Sequence, residues 1–81
     1  MEDIKDGILD VLKTTLELDE QIITGLTDDE QLEKHGFNSI TSIQFIVNLE
    51  KKFMIRIAVD DLMAEKFSTI NNIKATLQRY L

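Results

Sequence analysis

Residues 38–53 read NSITSIQFIVNLEKKF and carry the strongest helical signal in the chain. Apolar side chains recur there at intervals of three and four residues, the spacing of an α-helix with one buried face. They are Ile40, Ile43, Ile46, Val47, Leu49 and Phe53. Because Asn38 is a favourable N-cap residue, the pattern predicts a helix over residues 39–54.

The apolar surface of this helix is wider than one core contact requires. At about 100° per residue, its polar side chains cover an arc of only about 100°. We therefore expect Ile40, Ile43 and Val47 to lie at the rim of the core, near Ser39, on a surface open to partners. The better core candidates are Phe45, Ile46, Leu49 and Phe53.

Two further helices are predicted at residues 2–16 and 70–81, where apolar residues again follow helical spacing. Gly7 lies inside the first of them. Since glycine destabilises a helix interior by about 1 kcal/mol, we expect the first turn to fray. A short helix is predicted at residues 59–66, with Leu62 and Met63 facing the core.

The stretch between the first two long helices, residues 17–38, has no clean period, and Gly25 and Gly36 interrupt it. It predicts a long ordered loop with a short turn of helix near residues 28–34, and loops of this length in compact domains are usually functional. Residues 55–58 alternate like a strand but have no partner strand, which indicates an extended connector.

These elements predict one all-α domain over residues 1–81, a small antiparallel bundle of three main helices plus one short helix. An 81-residue chain has room for one domain core. Its apolar runs extend over at most three residues, so we expect no membrane span.

Composition and charge narrow the classes of function. Fifteen acidic and nine basic residues give a net charge of −6, which disfavours nucleic-acid binding. The chain has no cysteine, and hence no disulfide, thiolate metal site or cysteine nucleophile. No other metal-ligand or phosphate-loop signature occurs. We expect a cytoplasmic monomer without a metal.

Ser39 is the first residue of the helix with the strongest sequence signal. A serine there is exposed and rigidly presented, and the free N–H groups and positive dipole end of the helix favour a phosphate-linked group. The hydroxyl would then accept a modification rather than act as a self-activated nucleophile. From position alone, an ordinary helix-start serine is the better interpretation.

A small hydrolase built on Ser39 and His35, the only histidine, is a competing hypothesis. A serine–histidine pair also needs an orienting third group and an oxyanion hole. A chain this short does not easily enclose them, so we expect His35 to be a partly exposed loop residue.

The run Gly36-Phe37-Asn38-Ser39-Ile40, followed at fixed spacing by Leu49-Glu50 and Phe53, resembles the carrier protein family, which includes the acyl and peptidyl carrier proteins. The downstream segments Ile55-Arg56-Ile57, Asp60-Asp61-Leu62 and Phe67-Ser68-Thr69-Ile70 match the family's third and fourth helices. The resemblance covers essentially the whole chain and identifies the fold as acyl-carrier-like.

The resemblance implies a specific function. A phosphopantetheinyl transferase would attach 4′-phosphopantetheine from coenzyme A to Ser39, beside Asn38. The thiol of the arm would carry acyl or aminoacyl groups as thioesters, and the protein would not itself be a catalyst. The implied partners are that transferase, a loading enzyme, and downstream synthase or transferase enzymes. They would dock on an edge formed by Ile40, Gln44, Val47 and Asn48.

Two departures from the family pattern refine this hypothesis. Asn38 stands where most members have aspartate. Residues 40–57 contain one acid, Glu50, against three basic residues, whereas fatty-acid carriers have an acidic helix here. We therefore expect a role in polyketide or nonribosomal peptide biosynthesis. The alternative is a carrier-like helical interaction module without a prosthetic arm.

Overall fold

The computed structural model describes residues 4–62 and 64–81. Four α-helices follow in chain order: α1 (Ile4–Leu16), α2 (Glu20–Gly25), α3 (Ser39–Phe53) and α4 (Ile70–Leu77). Three 3-10 turns connect them, at Leu32–His35, Val59–Asp61 and Ala64–Phe67. Neither described range contains a strand. The predicted all-α class and the three long helices are confirmed, but α4 ends at Leu77, four residues before the predicted end at Leu81.

Helices α1 and α3 run antiparallel. Gly7, near the start of α1, faces the ring of Phe53 at the end of α3. Later in α1, Thr15 Oγ1 accepts a hydrogen bond of 3.0 Å from Asn48 Nδ2. Since positions rise along α1 while they fall along α3, the two helices have opposite directions.

Gly7 is a packing position rather than a weak point. It is buried within α1, and a Cβ atom placed there would lie 2.5 Å from Phe53 Cζ. The absence of a side chain lets the phenyl ring approach the α1 backbone, a use of glycine that periodicity does not reveal. Instead of a fraying turn, the structure shows a helical and buried Gly7.

The core joins α1, α3 and α4 with anchors from the loops. Its fully buried large side chains are Ile8, Leu12, Leu32, Phe45, Leu49, Phe67, Ile70, Ile73 and Leu77. The predicted burial of Phe45 and Leu49 is confirmed, whereas Ile46 and Phe53 pack at the core edge and are only partly buried.

Part of the region predicted as loop is helical. Residues Glu20–Gly25 form α2, which Asp19 caps by accepting a hydrogen bond of 2.9 Å from the Ile22 N–H. No residue of α2 is fully buried, so the helix leaves no apolar stripe in the sequence. The prediction of a loop was therefore wrong here, while the turn expected near 28–34 appears slightly later, at Leu32–His35.

The remaining loop is ordered because it is attached to the segment that begins α4. Leu26, Leu32 and Phe37 insert into the core. The Leu32 N–H donates to the Ser68 carbonyl at 2.9 Å, and the Asn71 N–H donates to the Asp28 carbonyl at 3.0 Å. These contacts fix the chain that leads into α3.

The region predicted as one short helix, residues 59–66, is helical only in part. Two 3-10 turns, Val59–Asp61 and Ala64–Phe67, occupy this region. Leu62, predicted to face the core, is 44% exposed, and Met63 lies outside the described residues. The extended connector predicted at residues 55–58 is confirmed, since no helix or strand is assigned there.

Asp61 is buried. Its carboxylate accepts hydrogen bonds from Lys66 Nζ at 2.6 Å, from Arg79 at 2.8 Å, and from the Tyr80 hydroxyl. The hydrogen bonds from Lys66 and Tyr80, with the charge of Arg79, lower the pKa of Asp61 to about 2. The cluster links the segment between α3 and α4 to the residues that follow α4.

Replacing Phe45 tests the core. Because Phe45 is fully buried, we expect Phe45→Ala to lower the free energy of unfolding by about 3–5 kcal/mol. Urea unfolding followed by circular dichroism measures this change. Ile43→Ala, on the same helix and 65% exposed, should be close to wild type. Equal effects of the two substitutions would contradict the assigned orientation of α3.

Replacing Asp61 tests the buried ion pair. A pKa lowered in the folded state stabilises the protein above the unfolded-state pKa of about 4, and this stabilisation is lost as the pH falls towards about 2. We expect Asp61→Asn to be less stable than wild type near neutral pH and the difference to shrink between about pH 4 and pH 2. Thermal unfolding across this range, with exposed Asp60→Asn as control, measures it. A pH-independent difference would contradict the assignment.

Candidate functional site

Ser39 is the first residue of α3 and is exposed. Among the described residues, none forms a hydrogen bond with its hydroxyl group. Its backbone carbonyl accepts a hydrogen bond of 3.1 Å from Ser42 Oγ. Ser39 therefore presents an accessible nucleophilic oxygen on a fixed backbone, while the neighbouring hydroxyl of Ser42 is engaged.

Asn38 caps α3. Its backbone is extended, at φ −133° and ψ −172°. Its side-chain Oδ1 accepts hydrogen bonds from the N–H groups of Ile40 and Thr41, at 2.9 and 3.0 Å. The expectation that free amides surround Ser39 is therefore wrong for these two groups, because the cap already satisfies them.

Thr41 completes the cap, a role that the sequence analysis missed. Its Oγ1 accepts a hydrogen bond of 2.8 Å from the Asn38 N–H and donates one of 2.9 Å to the Gly36 carbonyl. Gly36 has a φ of +98°, a left-handed conformation that favours glycine. The available signal was the capping-box spacing of Asn38 and Thr41, with threonine in place of the usual glutamate or glutamine.

Phe37 anchors this turn in the core. It is buried, and its ring packs edge-on against Phe45 of α3, with centroids 5.4 Å apart and planes at 82°. The residue before the cap therefore contacts the second turn of the same helix. This contact fixes where Ser39 leaves the core surface.

An open groove of about 620 Å³ runs along α3 from Ser39 and Asn38 towards Glu50. Its apolar lining comes from α3 and the loops on either side: Phe37, Ile43, Ile46, Val47, Leu62 and Phe67. The groove therefore offers an apolar channel that begins beside an exposed hydroxyl.

The docking edge predicted from sequence is only partly assembled on the surface. Ile40, Gln44 and Val47 are exposed, and their spacing of four and three residues places them on one helix face. Asn48 is turned towards α1, where it is partly buried and hydrogen-bonded to Thr15. The structure therefore brings three of these residues together beside Ser39 and places Asn48 elsewhere.

The part of this face that lies between Ser39 and Leu49 carries no charge of its own. Residues 39–49 contain no acidic or basic side chain. The first basic residues follow at the end of α3, where Lys52 pairs with Asp10 at 3.1 Å. The acidic segment at residues 28–33 is largely engaged within the protein, since Asp28 pairs with Lys5 at 2.7 Å.

His35 pairs with Glu30 instead of Ser39. The hydrogen bond from His35 Nε2 lowers the pKa of the Glu30 carboxyl group. No hydrogen bond joins His35 to Ser39 within the described ranges. The arrangement that a serine hydrolase would need is therefore not formed by these two residues.

Within residues 4–62 and 64–81, the structure forms neither a metal-binding cluster nor a membrane-spanning helix. Residues 4–62 and 64–81 do not bring together three or more His, Asp or Glu side chains as ligands for a metal ion. None of the helices in these ranges has the length and apolar character needed to cross a bilayer.

Comparison with known proteins identifies relatives of similar length. The family described as "Phosphopantetheine attachment site" matches residues 6–77. A D-alanyl carrier protein of Lactobacillus acidophilus is 32% identical over 79 residues, covering 94% of this chain and 92% of the relative. A D-alanyl carrier protein of Leuconostoc mesenteroides is 26% identical over 76 residues, covering 94% of both chains.

Proposed function

The chain belongs to the phosphopantetheine attachment family of carrier proteins and bears covalently attached 4′-phosphopantetheine, and from this premise we propose that Ser39 is the attachment residue. The single observation that carries the proposal is the exposed Ser39 hydroxyl at the rigid start of α3, free of hydrogen bonds from any described residue. Ser42, the nearest competing hydroxyl, donates to the Ser39 carbonyl.

The surroundings of Ser39 fit such an arm. The hydroxyl faces solvent, and the groove that starts beside it leaves room for an attached chain along α3. Asn38 and Thr41 hold the backbone of Ser39 in place. The arm supplies a thiol that carries cargo as a thioester, while the protein supplies position and a surface for partner enzymes.

For the cargo, we propose a small aminoacyl group, with D-alanyl as the first candidate. The support is the similarity to two D-alanyl carrier proteins along 94% of this chain. An amino acid activated by a ligase would be transferred to the thiol and then passed to an acceptor by a second enzyme.

A second candidate cargo is an acyl intermediate of polyketide or nonribosomal peptide biosynthesis. The observation that favours it is the apolar groove beside Ser39, where Ile43, Ile46 and Phe67 could shield a longer aliphatic chain from water. A D-alanyl group has little apolar surface and does not need this shielding.

For the partner enzymes, we propose docking on the face of Ile40, Gln44 and Val47. Ile40 is 70% exposed and stands one residue from Ser39, so an enzyme that reaches the hydroxyl or the arm meets it. Because residues 39–49 are uncharged, contact there depends on apolar burial rather than on ion pairs.

Intact-protein mass spectrometry tests the attachment. We expect wild type to gain one phosphopantetheinyl group after incubation with coenzyme A and a broad-specificity phosphopantetheinyl transferase, and Ser39→Ala to gain none. Ser42→Ala is the matched control and should be modified like wild type. Modification of Ser39→Ala would contradict attachment at Ser39. A wild type that stays unmodified, while a control carrier reacts, would favour a module without an arm.

The same measurement on protein purified from its native cells identifies the cargo. Fragmentation that releases the arm shows the mass of whatever the thiol carries. An alanyl increment supports the first candidate and a longer acyl increment supports the second, and treatment with hydroxylamine should remove either because both are thioesters.

Ile40→Asp tests the docking face. Replacing an exposed apolar contact with a charge should lower kcat/KM for modification of Ser39 by about tenfold, corresponding to about 1.4 kcal/mol. Met54→Asp is the matched control, since Met54 follows the other end of α3 and is 91% exposed. Equal rates for both variants, each folded by circular dichroism, would contradict docking on this face.

A further inference from the structure

We propose that Thr41 is a positioning residue for the modification of Ser39. The inference rests on the proposed attachment at Ser39 and assigns a role to a side chain that does not touch the reacting atoms. The observation is that one hydroxyl group, Thr41 Oγ1, closes the turn that precedes the modified residue by binding it at two points.

The two hydrogen bonds of Thr41 lie on either side of Phe37. Oγ1 donates its proton to the Gly36 carbonyl at 2.9 Å, and its lone pair accepts the Asn38 N–H at 2.8 Å. Thr41 is fixed in turn, because its own N–H donates to Asn38 Oδ1 at 3.0 Å. These hydrogen bonds therefore fix the turn at residues 36–38 and the first turn of α3 in one arrangement relative to each other.

Backbone conformation alone does not secure this arrangement. Gly36 adopts φ +98°, and glycine has no Cβ to restrict it to this region. Gly36, Asn38 and Ser39 are all exposed, so water can replace the hydrogen bonds of Thr41 without unfolding the helix. Loss of the Thr41 hydroxyl should therefore loosen the position of Ser39 more than it destabilises the protein.

The modification is sensitive to that position. The Ser39 oxygen forms a bond to the phosphorus of coenzyme A that bears the pantetheine, the pyrophosphate P–O bond breaks, and adenosine 3′,5′-bisphosphate leaves. The hydroxyl proton passes to a base of the transferase. Attack must follow the line of the breaking bond, and a displacement of about 1 Å can slow such a step by about 100-fold.

The test compares Thr41→Val, Thr41→Ala and Thr41→Ser. Valine keeps the shape and removes both hydrogen bonds, alanine repeats the removal with a smaller side chain, and serine restores the hydroxyl. With coenzyme A and a broad-specificity transferase, we expect kcat to fall by about tenfold or more in the valine and alanine variants. KM should change little, and Thr41→Ser should recover the wild-type kcat.

Thr69→Val is the matched control. Thr69 caps α4, and its Oγ1 accepts a hydrogen bond of 3.1 Å from the Asn72 N–H, but it does not line the groove at Ser39. Its substitution should lower the thermal unfolding temperature and leave kcat unchanged. All rates are measured at a temperature where circular dichroism shows each variant folded.

Amide NMR provides a second readout. In ¹⁵N-labelled protein, the Asn38 amide proton should exchange faster with solvent in Thr41→Val than in wild type, and Thr41→Ser should restore its protection. This readout depends on the hydrogen bond to Thr41 and not on the transferase.

The outcomes separate the inference from the function on which it rests. Wild-type kcat in folded Thr41→Val and Thr41→Ala would overturn the role of Thr41 while leaving Ser39 as the attachment residue. An equal loss of kcat in Thr69→Val would also overturn it, because general stability would then explain the effect. Modification of Ser39→Ala would overturn the attachment proposal itself, and the inference with it.

Discussion

The edge-on contact between Phe37 and Phe45 is the constraint on which the site depends. It joins the end of the loop between α2 and α3 to the second turn of α3, with ring centroids 5.4 Å apart. Aromatic pairs of this geometry contribute about 0.5–1.5 kcal/mol beyond the burial of their surface. With Phe37 held in the core, the chain reaches the surface at a defined point, and the cap formed by Asn38 and Thr41 then orients Ser39.

The chain divides structural and chemical tasks between neighbouring residues. Phe37 is buried and anchors the segment in the core. Asn38 and Thr41 form the hydrogen bonds that cap the start of α3. The Ser39 hydroxyl forms no hydrogen bond with any described residue. A hydroxyl that the fold does not need is available for a covalent bond. The helix that follows provides both a core face, through Phe45 and Leu49, and an outer apolar face beside the hydroxyl.

Sequence reasoning succeeded where one residue pattern determined the outcome. The periodic apolar residues of α1, α3 and α4 located these helices, although α4 ends four residues earlier than predicted, and the run from Gly36 to Ile40 indicated the family. It missed α2 because that helix buries no residue completely. The burial of Asp61 was not visible in the sequence, since its partners Lys66, Arg79 and Tyr80 lie up to 19 residues away and meet it only in the folded chain.

The same distinction applies to the site. Ser39 and Asn38 were predicted as site residues from local sequence, whereas Asn48 was assigned to the outer face because its contact with Thr15 crosses between helices, 33 residues apart. Thr41 was overlooked for a different reason. Its spacing from Asn38 was visible, but a threonine at the third helical position indicates a cap only once the Gly36 carbonyl is known to lie within reach.

The uncharged stretch of α3 from Ser39 to Leu49 has a consequence for the recognition of partners. An enzyme that selects its carrier through basic residues aimed at an acidic helix would find no carboxylate along residues 39–49, so close ion pairs with this stretch would not contribute to its choice. Selection on this stretch of α3 would then depend on shape and apolar contact rather than on charge.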